Sequence, residues 1–222
     1  MEYTELIING VNVLEGKKAI DWHKYDDGVY AYRTEDKFLH LMINGKDVLD
    51  GKKAIDCYYH EVGVYAYKTE NKFWHIMIND KDVLKGKNAI DCYYYKDGVY
   101  DYRTEDKFWH IMINNKDVLK GKNAIDCWYY IAGVYKYQTE DKFYHLMINN
   151  KDVLKGKNAI DCYYHKDGVY KYQTEDKFCH LMINNKDVLK GKNAINCRYH
   201  KEGVYEYRTE DYQWHTINLN RE

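Results

Sequence analysis

Short apolar runs alternate with short polar breaks along this chain, and the alternation repeats. The stretch from Lys87 to Gly121, KNAIDCYYYKDGVYDYRTEDKFWHIMINNKDVLKG, holds four β-prone runs. The first, Ala89 to Tyr95, is closed by Lys-Asp-Gly, a strong hairpin signal. The second is Val99 to Arg103, closed by Thr-Glu-Asp-Lys, and the third is Phe108 to Ile113, closed by Asn-Asn-Lys. A short fourth run, Asp117 to Leu119, precedes Lys-Gly-Lys-Asn. β-Branched and aromatic residues dominate, and no stretch keeps a helical period for three turns. Each unit is therefore expected to be a four-stranded antiparallel meander.

The unit recurs with a fixed period. Gly-Val-Tyr begins at Gly28, Gly63, Gly98, Gly133, Gly168 and Gly203, each 35 residues after the last. A period of roughly 20 to 50 residues marks an array whose units bury their faces against their neighbours. The faces of the specimen agree. In its first strand Ile90, Cys92 and Tyr94 oppose Ala89, Asp91, Tyr93 and Tyr95. In its third, Phe108, His110 and Met112 oppose Trp109, Ile111 and Ile113. Both faces are largely apolar, so both need covering. A blade sandwiched between two others meets that condition, and a single-layer sheet does not.

The strand order, NAIDCYYYKDG, then VYDYRTED, KFWHIMINN and KDVLKG, resembles a WD-repeat propeller blade, in which an inner strand is followed by a second, a third and an outer one. The Gly-His and Trp-Asp dipeptides of that family are absent. The resemblance implies a propeller. First, second and outer strands each occur six times, the last around Val13, Val48, Val83, Val118, Val153 and Val188. The third occurs seven times, because Thr4 to Ile8 and Trp214 to Ile217 both supply a version. The expected fold is all-β: a six-bladed β-propeller of four-stranded antiparallel blades. It forms one repeat domain over residues 1–222, its ring closed by pairing of N- and C-terminal strands, which removes the exposed sheet edges.

Composition narrows the function. With 34 basic and 35 acidic residues of alternating sign there is no basic stripe for nucleic acid and no charge excess for an anionic membrane. No apolar run approaches a membrane span, and no signal-peptide pattern follows Met1. The chain has no proline and no serine, which rules out a Ser-His-Asp nucleophile. Cys57, Cys92, Cys127, Cys162 and Cys197 share one phase of the repeat, and Cys179 stands in another. Five equivalent thiols do not pair naturally, so they are expected to fill core slots unpaired, which favours a reducing, cytoplasmic compartment.

A histidine recurs in every third strand: His40, His75, His110, His145, His180 and His215. Spread over separate blades they are too far apart for one metal ion, so no metal and no cofactor is expected. A buried hydrogen bond to an Asp or Thr is the expected role, with Asp21, Asp56, Asp91, Asp126, Asp161 and Asn196 as candidate partners. The Thr-Glu-Asp and Gly-Lys loops should fall on one face as a solvated rim of local ion pairs. The Asn-Asn-Lys-Asp loops lack the spacing of an EF-hand.

Where the copies differ, three positions matter. One reads His23, Tyr58, Tyr93, Trp128, Tyr163 and Arg198; the next reads Tyr25, His60, Tyr95, Tyr130, His165 and His200. A third, Ala31, Ala66, Asp101, Lys136, Lys171 and Glu206, is expected to face solvent. Aromatic rings beside histidine suit recognition of peptides or sugars, or equally fill the wedge between blades. The candidate ligand-binding residues are Tyr58, Tyr93, Trp128, Tyr163, His60 and His165. No asymmetric cluster suits catalysis. The expected function is therefore a monomeric, non-enzymatic binding module for a protein or peptide. The alternatives are a multivalent lectin binding glycans, or an engineered or amplified propeller without a ligand.

Overall fold

The computed structural model describes residues 5–8, 10–14, 16–201 and 203–218. Two compact units divide the chain: Met1–Lys107 with Met112–Asp117, and Phe108–Ile111 with Val118–Glu222. Among the described residues every regular element is a β-strand. A hairpin, β1 (Ile7–Ile8) and β2 (Val11–Asn12), comes first. Repeat one follows as β3 (Ala19–Asp26), β4 (Val29–Thr34), β5 (Leu39–Ile43) and β6 (Lys46–Asp47). Repeat two is β7 (Ala54–Glu61), β8 (Val64–Thr69), β9 (Trp74–Ile78) and β10 (Lys81–Asp82). Repeat three is β11 (Ala89–Lys96), β12 (Val99–Thr104), β13 (Trp109–Ile113) and β14 (Lys116–Asp117). Repeat four is β15 (Asp126–Ile131), β16 (Val134–Gln138), β17 (Tyr144–Ile148) and β18 (Lys151–Asp152). Repeat five is β19 (Ala159–Lys166), β20 (Val169–Thr174), β21 (Cys179–Ile183) and β22 (Lys186–Asp187). Repeat six shows three strands, β23 (Ala194–Lys201), β24 (Val204–Thr209) and β25 (Trp214–Asn218).

Repeats one, two, four and five each pair their strands antiparallel in sequence order, so the expected meander is the observed one. The fourth strand departs from expectation. It covers Lys116–Asp117 rather than Asp117 to Leu119. The aspartate itself ends it: in repeat one, Asp47 Oδ1 accepts the Leu49 N–H at 3.0 Å, an Asx-type turn that folds the leucine inward. Leu49, Leu84, Leu119, Leu154 and Leu189 are all buried as a result.

Turn chemistry sets the registers. Asn114 and Asn115 both have positive φ, 50° and 59°, as a two-residue type I′ hairpin between β13 and β14 demands. The Asn-Asn pair therefore belongs to the turn and needs no ion to explain it. Gly63, at φ +77°, closes the β7–β8 turn, and a Cβ there would lie 2.6 Å from Asn79 Oδ1. Gly63→Ala is expected to lower stability by about 1–2 kcal/mol, the usual cost of a left-handed backbone with a Cβ. Urea denaturation checks this, and an unchanged midpoint would contradict it.

Among the described residues, four cores lie between consecutive repeats of one unit, and a fifth lies between the opening segment and repeat one. Cross-strand register puts Val29, Ala31 and Leu41 on one face of repeat one. That face, with Leu39 and Leu49, packs on Ala54, Cys57, Tyr65 and Tyr67 of repeat two. The same arrangement joins repeats two and three through Ala66, Trp74 and Ile76 against Tyr94, Tyr100 and Tyr102. It joins four and five through Val134, Leu146 and Leu154 against Cys162, Tyr164 and Tyr170. Leu6 and Leu14 of the opening segment cover Tyr30, Tyr32 and Met42 of repeat one. Both faces of a sheet are thus used, as their apolar content requires.

Candidate functional site

The position read as Tyr58, Tyr93, Trp128 and Tyr163 lies in each repeat's first strand, directly across from the third variable position in the second strand. The pairs are Tyr58 with Ala66, Tyr93 with Asp101, Trp128 with Lys136, and Tyr163 with Lys171. The four rings are 50%, 57%, 56% and 50% exposed. Several are braced by a second ring. Tyr58 stacks on Trp74 with centroids 5.5 Å apart, and Tyr93 meets Tyr95 edge-on at 4.8 Å. Tyr163 meets Tyr130 edge-on at 6.0 Å. The Asp56 carboxylate, aided by burial, pushes the Tyr58 hydroxyl up, so it stays neutral and able to donate. In repeat six Arg198 takes the position, 4.3 Å over the Trp214 ring and 2.8 Å from Glu206.

The third variable position does not face solvent, contrary to expectation. Ala31, Ala66 and Asp101 are 4%, 2% and 3% exposed, because their strand runs through the middle of the packed face. Charge is admitted there only with a partner. Tyr95 donates its hydroxyl to Asp101 at 2.6 Å. Lys136 donates to the Cys162 carbonyl at 3.0 Å, and Lys171 to the Cys197 carbonyl at 2.8 Å, each in the following repeat. In repeat one, where the position is Ala31, Tyr25 makes the equivalent bond to the Cys57 carbonyl at 3.1 Å. Two neighbouring positions thus do the same job, since either a tyrosine hydroxyl or a lysine ammonium caps a carbonyl of the next repeat.

His60 and His165 stand where Tyr25 stands in repeat one. His60 lies 5.3 Å from the Tyr94 ring, and burial holds its pKa below the usual value against the opposing pull of Glu61. His165 packs on Tyr199 at 4.3 Å. Of the six candidate residues, the structure brings Tyr163 and His165 together. They line one cavity of about 320 Å³ in the second unit, with Lys136, Lys171, Arg198 and Tyr199. Tyr58, Tyr93 and His60 belong to the first unit, and Trp128 is not part of the cavity wall.

The third-strand histidines do not take the expected aspartates. His40 Nδ1–H donates to Asp47 Oδ2 at 2.6 Å, and His75, His145 and His180 do so to Asp82, Asp152 and Asp187 at 2.7–2.8 Å. Asp21 instead lies beside Arg33 at 3.4 Å, and Asp91 beside Arg103 at 3.6 Å. Strand pairing explains it: the fourth strand runs beside the third in the same sheet and brings its aspartate to the ring. Each histidine also stacks on a second-strand tyrosine, His40 on Tyr32 with centroids 4.8 Å apart. On the far side His40 Nε2 meets Thr34 Oγ1 at 3.3 Å. This Thr-His-Asp chain has the connectivity of a nucleophile triad. However, the Thr34 hydroxyl lies 2.5 Å from Asp36 Oδ1, a far better acceptor, and that aspartate also takes the Phe38 N–H. The chain is a clamp on the Thr-Glu-Asp loop rather than an activated hydroxyl.

Asp47 titrates accordingly. Burial works to raise its pKa, but the hydrogen bond and charge of His40 outweigh it and leave the carboxyl below its ordinary 3.8. A depressed carboxyl contributes its full stability above the unfolded value and loses it as pH falls through the folded one. Wild type and Asp47→Asn should therefore differ most in urea midpoint near neutrality and converge below about pH 4. A constant difference down to about pH 2 would contradict the assignment. Between the loops, Lys18 meets Glu35 at 3.9 Å and Lys53 meets Glu70 at 3.5 Å, exposed pairs worth about 0–1 kcal/mol each.

The cysteines are not all unpaired. Cys179 and Cys197 form a disulfide between β21 and β23, with Cα atoms 6.4 Å apart; Cys57, Cys92, Cys127 and Cys162 are free. The slot of Leu39 in one repeat packs against the slot of Cys57 in the next. Repeat five alone carries cysteine in the first slot, so it meets Cys197 in the second. Burial pushes the Cys57 and Cys162 thiols up to about 12, which leaves them inert as nucleophiles. Among the described residues no three His, Cys, Asp or Glu side chains are placed to hold a metal ion.

No protein-family model and no curated protein matches this chain. Solved structures do. The computationally designed Ika8 protein aligns over 91% of this chain and 71% of its own, at 8% identity and a TM-score of 0.38. The WD40 β-propeller domain of Doa1 aligns over 91% and 83%, at 13% identity and a TM-score of 0.35. YCF48 bound to D1 peptide aligns over 91% and 78%, at 7% identity and a TM-score of 0.35.

Proposed function

We propose that this chain is a non-enzymatic binding module whose first-strand aromatic rings receive a protein or peptide partner. One observation carries the reading: a single strand position leaves a large ring half exposed in four successive repeats, while the residue across the hairpin is wholly or partly buried. Exposing such rings gains nothing for folding. Aromatic side chains with a polar tip and few rotamers supply contact area at low entropic cost. The bracing rings hold them in place before a partner arrives, which reduces what binding must order.

Selection from a displayed random peptide library on the intact protein tests the reading. Recovered peptides should bind the wild type and lose affinity when these rings are replaced. A glycan array run alongside separates the competing case: several equivalents of sugar bound per chain, with no peptide recovered, would replace the reading with a lectin. The same proposal includes closure of the six repeats into one propeller ring. Light scattering should then show a compact monomer, whereas a concentration-dependent polymer would refute closure.

A further inference from the structure

The cavity between repeats five and six has a chemistry that the exposed rings lack. One first-strand position varies between repeats: repeats one, three and four place tyrosine at Tyr25, Tyr95 and Tyr130, repeats two and six place His60 and His200, and repeat five places His165 on the cavity wall. One polar atom there lacks a partner: His165 Nε2 is buried and makes no hydrogen bond. The walls are aromatic, with Tyr199 at 4.3 Å from the His165 ring and Tyr205 edge-on to both.

Charge then selects the guest. Lys136 and Lys171 both reach the cavity, each with one ammonium hydrogen committed to a backbone carbonyl. Two donors remain on each. Among the described residues neither lysine has a carboxylate ion-pair partner. Arg198 is already balanced by Glu206 at 2.8 Å, and Asp161 brings the one acid of the wall. The balance of the two lysines against Asp161 is positive. Such a volume sits at the lower end of small-molecule sites, which are mostly apolar with a few placed polar groups.

We propose that this cavity binds a planar aromatic carboxylate, its ring between His165, Tyr199 and Tyr205 and its carboxylate on the ammonium groups of Lys136 and Lys171. A flat ring matches the edge-to-face walls, the carboxylate supplies the missing anion, and an acceptor or donor on the guest can satisfy His165 Nε2. The proposal stands apart from the peptide reading. It shares Tyr163 with the exposed rings of that reading, and His165 with the candidate residues read from the sequence.

Isothermal titration with 2-naphthoate and with neutral 2-naphthol tests it. The acid should bind at least about tenfold more tightly, since a charge-assisted hydrogen bond is worth that much or more. Lys171→Met, which keeps the volume, should erase most of that preference. His165→Tyr should abolish binding of both probes by filling the space, with an unchanged melting curve, because tyrosine already occupies the matching place in three repeats. Equal binding of acid and naphthol would overturn the charge assignment. Unaltered binding to a folded His165→Tyr protein would overturn the location, and no binding of 2-naphthoate to wild type would overturn the proposal entirely. Should His165→Tyr fail to fold, Lys171→Met and the naphthol comparison still decide the matter.

Discussion

Leu146→Ala should destabilise the protein by about 2–5 kcal/mol, the range for emptying a fully buried leucine site. Leu146 has no exposed surface and sits in the core shared by repeats four and five, against Cys162, Tyr164, Tyr170 and Tyr172. Those partners belong to the next sheet, so the loss should be felt across both sheets. Amide exchange should quicken in β19 and β20 as well as in β17. Leu146→Met, which conserves volume, should cost less than about 1.5 kcal/mol. Val62, 86% exposed in the β7–β8 turn, provides the control, where alanine should fall within about 0.5 kcal/mol of wild type. If Leu146→Ala changed the urea midpoint no more than Val62→Ala, the packing of sheet on sheet would be wrong.

The second large effect is on binding. Trp128→Thr should weaken a selected peptide by about 2 kcal/mol or more, as truncation of a central aromatic anchor does. The same change should move folding stability by less than about 0.5 kcal/mol, because the ring is 56% exposed and threonine suits a strand. The contrast between the two measurements is what decides. A ring that merely fills a wedge would lose stability on truncation and leave affinity alone. Calorimetric titration and urea denaturation of one variant therefore separate recognition from packing, and equal peptide affinity for Trp128→Thr and wild type would refute the role assigned to the ring.

Much of this molecule is legible in its sequence, and what is not shares a cause. Strand order, hairpin glycines and the two-sided apolar pattern depend on local alternation, which a single repeat displays in full. Tyr58, Tyr93, Trp128 and Tyr163 are also legible as a variable aromatic position. Partners from another strand or another repeat are not. Lys136 and Lys171 look like solvent-facing residues until the carbonyls of Cys162 and Cys197 are placed beside them. His40 takes Asp47 rather than Asp21 because strand pairing, which no periodicity reveals, puts the fourth strand next to the third. The Cys179–Cys197 bridge depends on third-strand and first-strand slots of successive repeats facing each other. One signal points to it: Cys179 is the single cysteine out of phase, in a chain whose cysteines otherwise keep strict time.

The central claim is that a partner meets the protein on the half-exposed first-strand rings. Photo-crosslinking of a library-selected peptide, with the attachment sites mapped by mass spectrometry, tests it most directly. Crosslinks should concentrate at and around Tyr58, Tyr93, Trp128 and Tyr163. Crosslinks confined to the Thr-Glu-Asp and Gly-Lys loops, with the rings untouched, would contradict it.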